Sequence, residues 1–270
     1  MSRGARTFAD KRARVLDRNA RALSGVVEDW LLRVARRESR LAGARVMARG
    51  PREALRKSAW DDDVLELSSL ISRYGLRQLS DAGKAAASGV DGKWLVAPEI
   101  KDEYLAALEH KVVLIVEETR AQVNDSLRSL LREALKEKPR PSTGEIARRI
   151  ARQWHGPAEG RESLFSFERA ALIARTELVQ AENAGIAEAY TQTGVEAVEW
   201  LANTDGKSGD RHHEEMNGET ITVDAMRGSD RSEWFLTPLG NRMPYPGWSG
   251  APVKEIANCR CMIVPARVAT

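Results

Sequence analysis

A chain of 270 residues is long enough for one large domain or two small ones, and 42% hydrophobic with 30% charged residues suits helices with one apolar and one wet face. No apolar run approaches the ~20 residues of a membrane-spanning helix, and the basic opening from Met1 to Arg6 lacks the apolar core of a secretory signal. The only two cysteines, Cys259 and Cys261, stand one residue apart and cannot staple a fold, which points to a reducing compartment.

The net charge of +3 conceals an asymmetry. Residues 1–57 carry sixteen Lys/Arg against six Asp/Glu, and the rest of the chain is mildly acidic. A basic arm on an acidic body suits a polyanion or an acidic partner surface. An Arg-rich but merely solvated helix face is the competing reading. From Asp10 to about Ala48 the apolar positions Leu16, Ala20, Leu23, Val27, Trp30, Val34 and Leu41 predict one long amphipathic helix. Arg12, Arg18, Arg33, Arg36, Arg37 and Arg40 flank this stripe as candidate contacts for nucleic acid or an acidic protein surface. Pro51 ends the helix, because it has no N–H to donate.

A second helix is predicted to open near Trp60, with Asp61, Asp62 and Asp63 at its positive end. Val64, Leu67, Leu70, Ile71, Tyr74 and Leu79 supply its buried face. Residues 83–98 read as a loop or hinge. A third helix spans Glu99 to Lys136 and is apolar nearly all round near Val112 to Val116, the expected most buried part of a bundle. Ser142 or Thr143 caps a short helix through Trp154. A fourth long helix runs from Glu162 to Thr193 and stops at Gly194. The period then changes: Val195 to Ala202 and Thr220 to Val223 read as strands, the latter after an Asn217-Gly218 turn signal. Residues 224–257, rich in Pro and Gly, read as an irregular aromatic-packed lobe. Met262-Ile263-Val264 reads as a buried closing strand. The expected fold is a mainly α N-terminal region with long amphipathic helices followed by a small α+β module. The expected divisions are 1–58 (basic arm), 59–160 (helical region) and 161–270 (C-terminal module).

Polar residues set in apolar surroundings mark the candidate site. Arg175 and Glu182 are two turns apart on one helix face, with Glu177 and Asn183 near them. Placed amid Ala171, Ala174, Leu178 and Ala181, they need partners if buried. Asp205, Asp210, Arg211, His213 and Arg260 are available, and a structural network tying helix to sheet is the preferred reading over a catalytic one. Cys259 and Cys261 point to one side of an extended chain, so with His212 or His213 and a carboxylate they could surround a zinc ion. Against zinc stand two facts: Cys-x-Cys is not the usual Cys-x-x-Cys knuckle, and adjacent histidines do not both reach one ion. A hydrolytic alternative uses His213 as general base, with Arg211 and Arg260 clamping a phosphate as a nuclease would.

Ala174-Arg175-Thr176-Glu177, Ala184-Gly185, Tyr190, Gly194, Trp200, Asp205, Arg211, His213, Met216-Asn217-Gly218, Pro244-Tyr245-Pro246-Gly247 and Asn258-Cys259-Arg260-Cys261 follow in this order. The set resembles the phage Mu F-like minor head protein family, the phage head morphogenesis proteins, over roughly residues 165–266. The resemblance implies a virion component that associates with the portal and other head proteins and assists head assembly, with DNA packaging or delivery as a further role. It places the chain in the phage head, and in the host cytoplasm during assembly. It also implies that Arg175, Glu177, Asp205, Arg211, His213, Asn258, Cys259, Arg260 and Cys261 form one module. Some relatives carry additional cysteines before the histidine, where this chain has Gly209-Asp210 and His212.

Overall fold

The computed structural model describes residues 3–55, 60–139, 141–152, 167–203 and 212–266. Five helices come first: α1 (Arg3–Arg49), α2 (Asp61–Ser88), α3 (Pro98–Lys136), α4 (Thr143–Arg152) and α5 (Phe167–Gln192), with a 3-10 turn at Pro51–Leu55. The C-terminal elements are short: β1 (Ala197–Leu201), a 3-10 turn at His213–Met216, β2 (Thr220–Thr222), α6 (Val223–Arg227), a 3-10 turn at Arg231–Glu233, β3 (Phe235–Leu236), β4 (Arg242–Met243), α7 (Val253–Ile256) and β5 (Met262–Pro265). The protein is thus a mainly helical N-terminal region followed by a small α+β module. No helix among the described residues is long and apolar enough to cross a membrane.

The hydrophobic pattern explains the helices and one local departure. Leu16, Ala20, Leu23, Val27, Trp30 and Val34 are all buried on α1. The next expected position, Leu41, is exposed, and Ala35, Ala42 and Val46 carry the stripe instead. A straight helix drifts by about 20° per heptad against a strict seven-residue repeat, so the buried seam moves to the neighbouring positions. On α3, Val112 and Val116 are buried but Leu114 is 49% exposed, so the apolar stretch is not enclosed on all sides as expected. The predicted 83–98 hinge is shorter than expected, since α2 continues through Ser88 and only 89–97 connect it to α3. The Ala85-Ala86-Ala87 run favours helix and holds the chain in that conformation. Ser142 does cap α4: its Oγ accepts from the Glu145 N–H at 3.2 Å. Trp154 and residues 162–166 lie outside the described residues.

The chain forms two compact units, each built from separated segments, because the long helices contribute different stretches to each. One comprises 25–70 and 109–170. In it Trp30, Leu31, Leu67, Val112, Leu127, Ile146 and Ile150 are buried. Arg37 forks onto Asp63 at 2.7 and 2.9 Å and also bonds Glu38, while Arg33 pairs with Glu66 at 2.7 Å.

The other unit comprises 1–24, 71–108 and 171–270, and it contains the candidate site. Its helical part is tied by a buried ion pair. Arg12 on α1 donates from Nε and Nη2 to the two Glu182 oxygens on α5 at 2.6 and 2.7 Å. Gln78 on α2 donates to the same carboxylate and accepts from Asn19. Arg175 pairs with Asp17 on α1 at 3.1 Å. α5 also approaches α2 so closely that a Cβ on Gly185 would overlap the Leu79 carbonyl. Ala would ordinarily gain up to ~1 kcal/mol over Gly inside a helix. Here the obstacle is backbone, and overpacking of that kind costs about 1–3 kcal/mol. Gly185→Ala is therefore expected to lower the unfolding midpoint, and a stabilised variant would refute the close contact.

The C-terminal module is a three-stranded antiparallel sheet in the order β2-β1-β5 plus the β3–β4 hairpin. β1 is central, with Ala197 opposite Thr222 on one side and Trp200 opposite Ile263 on the other. Residues 224–257 contain short regular pieces within the irregular, aromatic-packed lobe that was expected. Trp234 donates from Nε1 to the carbonyls of Ala225 and Gly228, and stands edge-on to Trp248 at 4.9 Å. Gly247, at φ 77°, lies against Val179 and the Gln180 backbone of α5, a place with no room for a side chain.

Candidate metal centre

α5 holds the end of the chain through two side chains. Asn183, fully buried, accepts from the Ile263 N–H at 3.2 Å and donates to the Cys261 carbonyl at 3.1 Å. The amide thereby acts as a one-residue strand partner on the outer edge of β5, which no other strand covers among the described residues. About two turns earlier, the Thr176 hydroxyl accepts from the Asn258 N–H at 3.1 Å and donates to the Leu172 carbonyl. Asn258 itself is left-handed, at φ 56°, a conformation Asn tolerates better than most residues. The reversal there delivers Cys259 and Cys261 to the module interior, just before β5 starts at Met262.

His213 comes from the other direction. After β1, the chain returns through the His213–Met216 turn and closes on β1 by bonds from Gly218 N–H to the Trp200 carbonyl and from Trp200 N–H to the Glu219 carbonyl. The Asn217 side chain accepts from the Ala202 N–H at 3.1 Å. These bonds seat His213 in the interior, at 1% exposure, with Trp200 edge-on to its ring at 5.4 Å.

The three residues form one cluster. Nδ1 of His213 lies 3.7 Å from Cys259 Sγ and 3.8 Å from Cys261 Sγ, and all three ligand atoms lie within 4.8 Å of one another. A tetrahedral zinc ion with Zn–S near 2.3 Å and Zn–N near 2.05 Å sets its N···S edges at about 3.6 Å. The observed spacing is close to that figure. Both cysteines are buried, and neither is in a disulfide.

The far side of the histidine carries a second requirement of a metal site. Its Nε2 donates to Glu255 Oε2 at 2.7 Å, and Glu255 is itself fixed by Thr237 Oγ1 at 2.6 Å and Asn241 Nδ2 at 2.7 Å. A carboxylate on the remote nitrogen fixes the tautomer, leaving the Nδ1 lone pair directed at the thiols. Burial alone would lower the His213 pKa, but its bonds to Cys261 and Glu255 and their charge outweigh that and raise it. Burial would likewise raise Glu255, yet the bonds from Thr237, His213 and Asn241 hold it below the usual carboxylate range. Cys261 lies well below the ordinary thiol range; the largest cause is its bond from Cys259, and His213 and the Asn203 backbone N–H add to it against burial. An acidic thiol, a directed imidazole and a seated carboxylate are what a thiophilic divalent cation needs.

The sequence pointed to part of this cluster. His213, not His212, is the inward histidine; His212 is exposed and left-handed, near Glu214 and Glu215. Arg260, between the cysteines, is half-buried and lines a cavity with Arg6, Asp10, Leu201, Asn203 and Asn217. Arg175 and Glu182 find their partners on α1. Glu177 is buried and acts with burial to raise the Tyr104 hydroxyl's pKa, burial being the larger cause. Asp205, Asp210 and Arg211 lie outside the described residues. Glu255, Thr237 and Asn241 were not anticipated. The one available signal was a glutamate four residues before Cys259, between Lys254 and Ile256.

One expectation needs correction. Arg12 is not a surface contact: it is 7% exposed and committed to Glu182, because a guanidinium at the helix seam requires a buried carboxylate. Arg33 pairs with Glu66, and Arg37 with Asp63 and Glu38. Arg18, Arg33, Arg36 and Arg40 are exposed. His213, the general base of the hydrolytic reading, is 1% exposed, with one nitrogen on Glu255 and the other beside the thiols. Comparison with known family models, with curated proteins and with solved structures finds no match for the chain.

Proposed function

We propose that the chain is a minor head protein of a tailed phage or prophage, assisting head assembly beside the portal, and that zinc closes its C-terminal module. The observation that carries this reading is the meeting of sequence-distant motif residues at one place. Thr176 on α5 bonds Asn258, Asn183 bonds Cys261, and His213 meets Trp200 of β1 and both cysteines, while Gly247 lies against Val179 and Gln180 of α5. That meeting of described motif residues supports the Mu F-like reading. An architectural role is favoured because His213, Glu255, Thr237 and Asn241 satisfy each other in the interior. DNA packaging or delivery is the further role, for which exposed Arg18, Arg36 and Arg40 supply charge.

Purified heads of a phage or prophage encoding this chain are expected to contain it, and deletion of its coding sequence is expected to reduce infectious particles at least tenfold. Particles that lack the protein, together with an unchanged yield after deletion, would overturn the assignment. The zinc part is checked separately, by metal analysis of the purified protein, where about one equivalent is expected.

A further inference from the structure

The His213–Cys259–Cys261 cluster joins segments that are individually short. Between β1 and β5 the strands are two to five residues long and the helices four or five. Pieces of this size do not persist alone, and small modules of this kind depend on a disulfide or a metal. Neither cysteine is in a disulfide, so no such bridge takes that part. The His213–Met216 turn, the Cys259–Cys261 segment, α7 through Glu255 and the β3–β4 hairpin through Thr237 and Asn241 all converge on the cluster. Remove the cation and two sulfurs, an imidazole and a fully buried carboxylate remain packed together without the charge that offsets them.

The helices of the same unit are held by other means. The Arg12–Glu182–Gln78 network and the Gly185–Leu79 contact join α1, α2 and α5 without involving any cluster residue. One molecule therefore holds a metal-independent helical part and a part whose order runs through the ion.

We infer that metal uptake and folding of the β1-to-β5 lobe are one event, and that a zinc-class cation switches this lobe between open and closed while the helices stay formed. The inference rests on the metal reading above. It assigns the ion a conformational role, which metal content alone does not establish. Trp200 provides a built-in reporter, since its ring meets His213 edge-on and Phe235 at 5.2 Å.

The experiment uses the full chain. Metal is stripped with a chelator under reducing conditions, then zinc or cobalt is added back while three signals are followed. Helical circular dichroism is expected to change little. Tryptophan fluorescence and near-ultraviolet dichroism are expected to shift on stripping and to recover at one equivalent, and cobalt is expected to show the intense visible bands of a tetrahedral thiolate site. Proteolysis between 197 and 266 is expected to accelerate on stripping, by roughly a thousandfold relative to protein in zinc at a thousand times its Kd. Cys259→Ser with Cys261→Ser is expected to match the stripped protein and to ignore added zinc. Glu255→Gln, which keeps the side-chain shape but turns one acceptor into a donor, is expected to bind cobalt with the same bands but more weakly, by about 10–100-fold. Failure to bind cobalt or zinc at all would remove the metal reading itself. Stoichiometric binding with unchanged tryptophan signal and unchanged proteolysis on stripping would leave that reading intact and overturn the coupling.

Discussion

Arg12→Met is expected to lose about 3–5 kcal/mol of stability, read as a fall in the urea midpoint without loss of the metal cluster's ligands. The guanidinium is buried and forks onto both Glu182 oxygens at 2.6 and 2.7 Å. Removing it leaves a carboxylate at 1% side-chain exposure with only the Gln78 amide for company. An uncompensated buried charge is among the costliest single changes a core can suffer, whereas exchanging both partners for apolar groups is often near neutral. The double variant Arg12→Met/Glu182→Leu is therefore expected to recover most of the loss, short of the part owed to the Gln78 donor left without its acceptor. A single variant within ~1 kcal/mol of the parent would show that the pair is exposed to water in solution.

Asn183→Leu is expected to cost about 2–6 kcal/mol, because two buried backbone groups lose their partner at once, at about 1–3 kcal/mol each. The Ile263 N–H and the Cys261 carbonyl both face the Asn183 amide, at 3.2 and 3.1 Å. Leucine is close in volume, so the cavity contribution is small and the loss isolates the hydrogen bonds. The same change is expected to weaken metal binding, since the carbonyl it frees belongs to a cysteine of the cluster. Unaltered metal affinity and a midpoint within experimental scatter of the parent would show that the β5 edge is satisfied by something else.

These two residues also separate what could be read from the chain and what could not. Asn183 and Glu182 stood out as polar residues in an apolar helix, which forces the expectation of partners. The partners themselves were misjudged. Glu182 meets an arginine 170 positions earlier, on a face that charge counting had assigned to the surface. A heptad-like stripe gives the direction of a helix's buried seam but not which long side chain crosses it. Arg12 sits at the margin of that seam, where its stem packs inward and its head finds Glu182.

The metal cluster shows the same division. Cys259 and Cys261 declare themselves by being the only sulfur ligands of their kind, and a histidine loop upstream was a natural complement. The choice of His213 over His212 depends on a left-handed φ of 55° at His212, which turns one ring outward and the next inward. Glu255 is silent in sequence, because a single carboxylate in a four-residue helix has no periodicity to mark it.

The chain by itself determined the long helices, the change to short strands after Gly194, and the two cysteines as candidate soft ligands, since periodicity, glycine stops and rare residue types are local properties. Only the tertiary structure decided which charges are buried, which histidine faces the sulfurs and which carboxylate stands behind it. Those outcomes depend on through-space distances between segments far apart in the chain, and burial decides whether a polar group needs a partner at all.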